Sequence, residues 1–176
     1  MKKRLALSLN QNQSKNLEKV KTMALILGNY EAKSVNGSLK KLDTLSKGVL
    51  KKLIRRNELQ GKLGQSLYIA SLEGTQAERV YMVGCGKKKS TLSKDQITKI
   101  LSSIVRVAIS SGVSDVSIAL PSLKTKEGDE WILTQLSRIL EHQVYTYDAK
   151  LNKKNKKVNK LKQVVISLSS TASDTK

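Results

Sequence analysis

The stretch YMVGCGKKKS, at Tyr81–Ser90, combines residue types that can bind phosphate: two glycines one residue apart, then three lysines and a serine. Backbone N–H groups in glycine-rich loops curl around phosphates. The P-loop pattern G-x-x-x-x-G-K-[ST] fails here, because Tyr81 stands at the first glycine and Lys88 at the hydroxyl position. The dinucleotide-binding pattern G-x-G-x-x-G fits Gly84 and Gly86 but fails at its third glycine, where the chain has Lys89. We therefore predict a strand-to-helix turn with Lys87–Lys89 in solvent.

The other candidates for catalysis or metal binding are isolated. The single histidine, His142, is predicted just after a helix and cannot form a zinc site alone. Cys85 lies between glycines with no acid beside it, so we predict a small buried residue at a strand end. Glu127, Asp129 and Glu130 are predicted at a helix start, where the dipole favours negative charge. We predict no catalytic residue and no metal ligand in this chain.

Charge is the outlying property of the composition. The chain has 33 Lys and Arg against 14 Asp and Glu, a net charge of +19, which favours polyanionic partners. Aromatic residues make up only 3%, which argues against base stacking on exposed rings. The candidate nucleic-acid contacts form three groups: Lys51, Lys52, Arg55 and Arg56; Lys87, Lys88 and Lys89; and Lys153, Lys154, Lys156 and Lys157. The last group lies in a lysine block, Lys150–Lys162, which the pattern predicts to be a solvated loop, with polyanion contact as the alternative.

The 176 residues suffice for one domain with a core, and we predict a single α/β domain over residues 1–176. No apolar run approaches the length of a membrane span. The apolar part of the N-terminus, Leu5–Leu9, is short for a signal peptide, so we predict a first strand and a cytoplasmic location. One cysteine excludes an internal disulfide.

Apolar periodicity predicts strands alternating with helices. The predicted strands are Leu5–Leu9, Thr22–Leu27, Gln65–Ala70, Arg79–Val83, Val116–Leu120, Val144–Tyr147 and Val164–Leu168. The predicted helices are Leu42–Asn57 capped by Asp43, a second one between its cap Ser93 and Gly112, and Glu127–Glu141. Such alternation indicates an α/β fold with a largely parallel or mixed sheet and helices on both faces. The residues predicted to be buried in strands are Val80, Val83, Ile118, Leu120, Val165 and Ile166, with Leu53, Ile104 and Leu136 packing on them from helices.

The order of several short motifs resembles the N-terminal domain of the leucyl aminopeptidase family, also called cytosol aminopeptidases. These motifs are Leu42-Asp43 at the first helix, Gly61-Lys62-Leu63-Gly64, Ala77-Glu78-Arg79-Val80 leading into Val83-Gly84-Cys85-Gly86-Lys87, and Leu120-Pro121 at a strand end. The resemblance implies a three-layer, macro-domain-like fold. It also implies a C-terminal domain that holds two divalent metals, zinc or manganese, and every catalytic residue, in enzymes that are usually hexamers and remove N-terminal residues from peptides.

The metal-binding Asp/Glu/Lys constellation of that family has no match here, so no catalytic residue carries over. We expect a non-catalytic N-terminal domain whose catalytic domain is absent from this chain, serving assembly and active-site access. A DNA-binding or regulatory module is the alternative, since some bacterial members of the family also bind DNA. An ADP-ribose binder resembling macro domains is a third hypothesis, although neither its glycine-rich loop nor its acid is convincingly placed.

Overall fold

A mixed six-stranded sheet forms the centre of the structure, a computed structural model that describes residues 5–9, 16–35, 37, 39–151 and 160–168. The strands are β1 (Ala6–Leu9), β2 (Ala24–Asn29), β3 (Ser66–Ile69), β4 (Val80–Gly84), β5 (Asp115–Leu120) and β6 (Gln163–Leu168). The helices are α1 (Leu39–Leu45), α2 (Val49–Arg55), α3 (Lys94–Ser110) and α4 (Gly128–Leu151), with a 3-10 turn at Leu17–Lys19. The strand order is β1-β6-β5-β2-β4-β3, and β3 is antiparallel to β4 while the other pairs are parallel.

Side chains alternate across the sheet and form an apolar cluster on each face. Ile26 and Ile118 belong to the first-face cluster, which α3 and α4 cover with residues such as Leu136. Leu25 belongs to the second-face cluster, which α1 and α2 cover with residues such as Leu50. The molecule therefore has three layers, and the predicted α/β fold with helices on both faces of a mixed sheet is confirmed.

Most of the predicted core is buried. Val80, Val83, Ile118, Leu120 and Ile166 are buried in their strands, as are Ile104 and Leu136 in their helices. Val165 is only half-buried, contrary to the prediction, because its neighbour in β1 is the exposed Ser8. Leu53 is also half-buried, and packs at the margin of the second-face cluster.

The predicted helix at Leu42–Asn57 is two short helices, so this prediction was wrong. Lys47 and Gly48 both have positive φ angles, 55° and 78°, and this left-handed backbone ends α1 before α2 begins. Asp43 does not cap the first helix, since it lies inside α1. Its carboxylate instead accepts a hydrogen bond from the backbone N–H of Lys51 in the first turn of α2, at 3.0 Å.

Helix α3 follows the sequence prediction closely. The hydroxyl of Ser93 accepts from the Gln96 backbone N–H at 3.3 Å, and the Gln96 side chain accepts from the Ser93 N–H at 3.2 Å. This reciprocal capping box satisfies two N–H groups that the helix itself cannot. The predicted apolar stripe of α3 is buried throughout: Ile97, Ile100, Leu101, Ile104, Val105 and Ala108.

Helix α4 is longer than the predicted Glu127–Glu141, and the predicted strand Val144–Tyr147 is wrong because α4 runs through it. Val144 packs against the first-face cluster from the helix, and this packing overrides the β preference of the segment. His142 accordingly lies within α4, where it is exposed, and does not follow the helix. In the described part of the chain, no helix has the length and apolarity to cross a membrane.

Candidate functional site

In the turn after β4, the backbone N–H groups of both glycines and of Cys85 are already used in hydrogen bonds. The backbone N–H groups of Gly84, Cys85 and Gly86 all donate to backbone carbonyls. Their acceptors are the oxygens of Gln65, Asn29 and Gly61, at 2.7, 2.7 and 2.8 Å. A phosphate cradle needs these N–H groups unpaired. The prediction of a strand-to-helix turn is therefore confirmed.

Close packing explains the glycines of this turn. A Cβ atom at Gly84 would overlap the carbonyl oxygen of Lys62 in the segment beside it. Gly86 has a φ of 76°, which side-chain-bearing residues rarely adopt. The motif therefore serves the fit between β4 and the segment that precedes β3.

Cys85 is a buried residue at the end of β4, as predicted. It is 2% exposed, and burial raises the pKa of its thiol from 9.0 to about 12. Because the thiolate is the nucleophile of cysteine chemistry, this thiol is unreactive at neutral pH.

The strand order creates a switch point between β2 and β5. The chain leaves β2 through α1 and α2 on the second face, and leaves β5 through α4 on the first face. The two neighbouring parallel strands thus send their following loops in opposite directions. In open α/β sheets, ligands bind in the crevice that forms at such a point, outside the carboxyl ends of the strands.

A cavity of about 400 Å³ opens here, and we call it the switch-point cavity. Gly28 and Asn29 line it from the end of β2, and Leu120 and Pro121 from the end of β5. Most of its wall is aliphatic and comes from Leu17, Leu27, Val35, Leu50, Ile54 and Leu59. A mostly apolar lining with few polar groups is typical of small-molecule sites.

Two polar side chains lie at the switch-point cavity, the buried Asn29 and the half-buried Tyr30. The Asn29 Nδ2 donates weakly to the Tyr30 carbonyl, at 3.5 Å, whereas its buried Oδ1 has no hydrogen-bond partner among the described residues. The Tyr30 hydroxyl donates to the Ser122 carbonyl at 2.9 Å and joins the two loops. Burial, and secondarily the charge of the Cys85 thiolate, raise the pKa of Tyr30 to about 12, so this hydroxyl remains a donor.

Charged side chains stand at the margin of the switch-point cavity. Glu31 and Lys88 both line it. A second groove, the basic groove, adjoins the cavity and shares Glu31 and Ile54 with it. The cations of the basic groove are Lys33, Arg55 and Lys62. The combined site therefore has four cations and one acid.

Of the predicted nucleic-acid contacts that the structure describes, Lys88 and Arg55 line these cavities. Lys51, Lys52 and Arg55 of α2 and Arg56 directly after it, which we call the α2 cations, are all exposed. Lys87–Lys89 are exposed as well. Lys153, Lys154, Lys156 and Lys157 lie outside the described residues.

The described residues do not fit a metal site. Among them, no group of three or more His, Cys, Asp or Glu side chains is placed to hold a metal ion. Asp129 and Glu130 lie in the first turn of α4, as predicted. Glu127 precedes that helix. Its carboxylate accepts a hydrogen bond from the Thr125 hydroxyl at 2.7 Å and pairs with the Lys94 ammonium at 3.1 Å. These two contacts lower the pKa of Glu127.

Sequence reasoning did not identify Asn29, Tyr30 or Ser122 as site residues. The available signals were Gly28-Asn29 after a buried apolar run and Pro121 after another. Both mark the carboxyl ends of strands, but the pattern does not reveal that β2 and β5 are neighbours. That pairing is what places the two loops together.

The comparisons with known protein families and sequences agree on one family. The model of the cytosol aminopeptidase family, N-terminal domain, matches residues 26–154. A probable cytosol aminopeptidase of Actinobacillus pleuropneumoniae serotype 5b is 31% identical over 133 residues, 75% of this chain and 26% of the relative. One from Thioalkalivibrio sulfidiphilus is 27% identical over 161 residues, 91% of this chain and 32% of the relative. The chain thus spans about a third or less of the curated relatives it matches.

Solved structures share the fold. A leucine aminopeptidase variant from tomato aligns with a TM-score of 0.67 at 16% identity, over 97% of this chain and 34% of that one. A Trypanosoma brucei macrodomain aligns with a TM-score of 0.58 at 12% identity, over 94% of this chain and 62% of that one. These alignments confirm the predicted macro-domain-like architecture. Together with the family match over more than half of its length, they show that the chain belongs to the cytosol aminopeptidase family, where it corresponds to the N-terminal domain.

Proposed function

We propose that this chain is the non-catalytic N-terminal domain of a cytosolic metallo-aminopeptidase, an enzyme that removes N-terminal amino acids from peptides. The match to the family's N-terminal domain over residues 26–154 carries the proposal. Within the enzyme, the domain serves assembly and controls access to the active site of a separate catalytic domain.

The chemistry belongs to that catalytic domain. Two divalent metals, zinc or manganese, would supply an activated water and polarise the scissile carbonyl there. The described residues of this chain offer no cluster of ligands for such metals, so we assign them no catalytic step. The working assembly would be a homo-hexamer.

The proposal is tested with an antibody raised against this chain, used to isolate the natural protein from the cells that encode it. We expect a polypeptide well above 19.5 kDa that forms hexamers in light scattering and hydrolyses leucine p-nitroanilide with added manganese or zinc. The purified chain should not hydrolyse this substrate. Metal-dependent turnover by the chain alone, after controls for contaminants, would contradict a non-catalytic role. A monomeric natural enzyme would contradict the assembly role.

Contact with DNA is a second candidate function, and one observation favours it. The α2 cations Lys51, Lys52, Arg55 and Arg56 are all exposed. In the described ranges, the salt bridges are Lys41–Glu18, Lys47–Glu73 and Lys94–Glu127, which leave that group unpaired.

A further inference from the structure

The switch-point cavity has the size and lining of a site for a small aliphatic ligand. Its volume of about 400 Å³ falls in the lower part of the range for ligand pockets. Leu27 and Leu50 contribute fully buried side chains to its wall, and Ile54 is half-buried beside them. An apolar side chain that entered this space would leave water for a hydrocarbon surface, which is favourable in proportion to the area buried.

The margin of the cavity carries charges of both signs. Glu31 lines both the cavity and the basic groove, so it stands where the two meet. Lys88 lines the cavity, and Lys33 lines the groove. A ligand with an ammonium group and a carboxylate on an aliphatic body matches this distribution, because each charge has an opposite partner beside the apolar space.

Asn29 provides a third polar feature. The side chain is nine-tenths buried, and its Oδ1 accepts no hydrogen bond from the described residues. This orientation of the Asn29 side-chain amide is physically favoured. Exchanging Nδ2 and Oδ1 would place Oδ1 against the carbonyl oxygen of Tyr30, and the two oxygens would repel each other. A buried acceptor without a donor is costly, so an N–H group from a ligand would stabilise it. A peptide or an amino acid carries such groups.

Phosphate-containing ligands fit less well. The N–H groups of Gly84, Cys85 and Gly86 are used by backbone carbonyls. Among the described residues, Tyr30 is the one aromatic residue that lines the cavity, and its hydroxyl donates to the Ser122 carbonyl. In the part of the chain that the structure describes, the cavity lining includes one cation, Lys88, and one acid, Glu31. Inside the cavity, a polyphosphate would meet one cation and would be repelled by Glu31, while the other three cations, Lys33, Arg55 and Lys62, line the adjoining basic groove.

We propose that the switch-point cavity binds a short aliphatic peptide or free aliphatic amino acid as a zwitterion. The side chain occupies the apolar slot, the ammonium pairs with Glu31, and the carboxylate pairs with Lys88. The binding is inferred from the lining alone. Only the biological role of this binding, the sensing of substrate or product by the parent enzyme, rests on the proposed function.

The test is a titration of the isotope-labelled chain, followed by the backbone amide signals in NMR. The ligands are Leu-Leu, its N-acetyl derivative without the ammonium, and its C-terminal amide without the carboxylate, each up to a concentration on the order of 10 mM, which detects millimolar affinity. We expect Leu-Leu to shift the signals of Asn29, Glu31 and Ala32 saturably. Each blocked peptide should bind about two- to fivefold more weakly, the range for a partly exposed ion pair.

Paired variants assign each charge. Glu31→Gln should weaken Leu-Leu but leave the N-acetyl peptide unchanged, and Lys88→Gln should weaken Leu-Leu but leave the amide unchanged. Glu58→Gln and Lys87→Gln are the matched controls, because both residues are exposed and neither lines the cavity. Ala32→Trp should abolish binding by filling the space, while the spectrum reports whether the variant is folded.

Two results would overturn the proposal. One is the absence of saturable shifts at the cavity in the folded wild-type chain. The other is equal binding of all three peptides to wild type and to both charge variants. The readout is binding to this chain, so it is independent of aminopeptidase activity, and failure here would leave the proposed function standing.

Discussion

The carboxylate of Asp43 accepts a hydrogen bond from the backbone N–H of Lys51 across the break between α1 and α2, at 3.0 Å. This contact satisfies one of the N–H groups that the first turn of α2 leaves unpaired. We expect Asp43→Ala to lower the free energy of unfolding by about 1 kcal/mol, the usual loss for a helix cap. Asp43→Asn keeps an acceptor and should lose clearly less. Urea denaturation measures both, and equal losses would show that the acceptor does not contribute.

Leu50 anchors α2 in the second-face cluster with its side chain fully buried. We expect Leu50→Ala to destabilise the chain by about 2–5 kcal/mol, because it removes buried surface and leaves a cavity. Leu45→Ala is the matched control, since Leu45 is 41% exposed at the end of α1, and should cost far less. Thermal and urea unfolding compare the two. Similar losses would mean that α2 does not pack as described.

Cys85 makes the free energy of unfolding depend on pH in the alkaline range. Its folded pKa is raised from 9.0 to about 12 by burial, so above pH 9 the unfolded chain releases a proton that the folded chain retains. Deprotonation therefore favours unfolding. Stability from this thiol is fully present below pH 9 and falls between about pH 9 and 12, by up to about 1.4 kcal/mol per pH unit.

Cys85→Ala serves as the comparison for this pH dependence. Tyr30 also lowers the free energy of unfolding as the pH rises, but only above its ordinary pKa of 10.0, because burial raises the pKa of the folded-state hydroxyl to about 12. The alanine variant should therefore show a flatter profile between pH 9 and 10, whatever its absolute stability. A wild-type profile with the same slope as the variant in that interval would contradict the buried thiol.

The α2 cations give a specific expectation for DNA binding. If they contact phosphates, affinity for duplex DNA should fall steeply with salt, because each neutralised phosphate releases counterions. Replacing Lys51, Lys52, Arg55 and Arg56 with Gln should then flatten the slope of log K on log salt by up to about 3.6 units. Lys47→Gln is the control, since Lys47 is paired with Glu73 at 2.9 Å. An unchanged slope would remove this surface from consideration as a DNA contact.

Local patterns determined a large part of the fold. The predicted stripe and cap of α3 match the structure residue by residue, because the i, i+3, i+4 spacing and the capping box act within a few positions of each other. The apolar runs at β2 and β5 likewise correspond to buried strands, since strands covered on both faces are continuously apolar. The glycines after β4 also correctly predicted that the strand ends there in a turn.

The tertiary structure decided what depends on distant neighbours. Two left-handed residues, Lys47 and Gly48, divide a stretch whose apolar spacing is helical throughout. Val144 has a β preference but lies in α4, because packing on the first-face cluster outweighs a propensity of this size. Such packing cannot be read from a short window of sequence.

The switch-point cavity shows the same division. The sequence alone determined that strands end near Asn29 and Leu120, because apolar runs stop there at a glycine or a proline. Only the tertiary structure placed the loops that follow side by side, since β2 and β5 are neighbours in the sheet although β3 and β4 lie between them in the sequence. The physical reason is that strand pairing depends on backbone hydrogen bonds and burial across the whole sheet, which residues close in sequence do not specify.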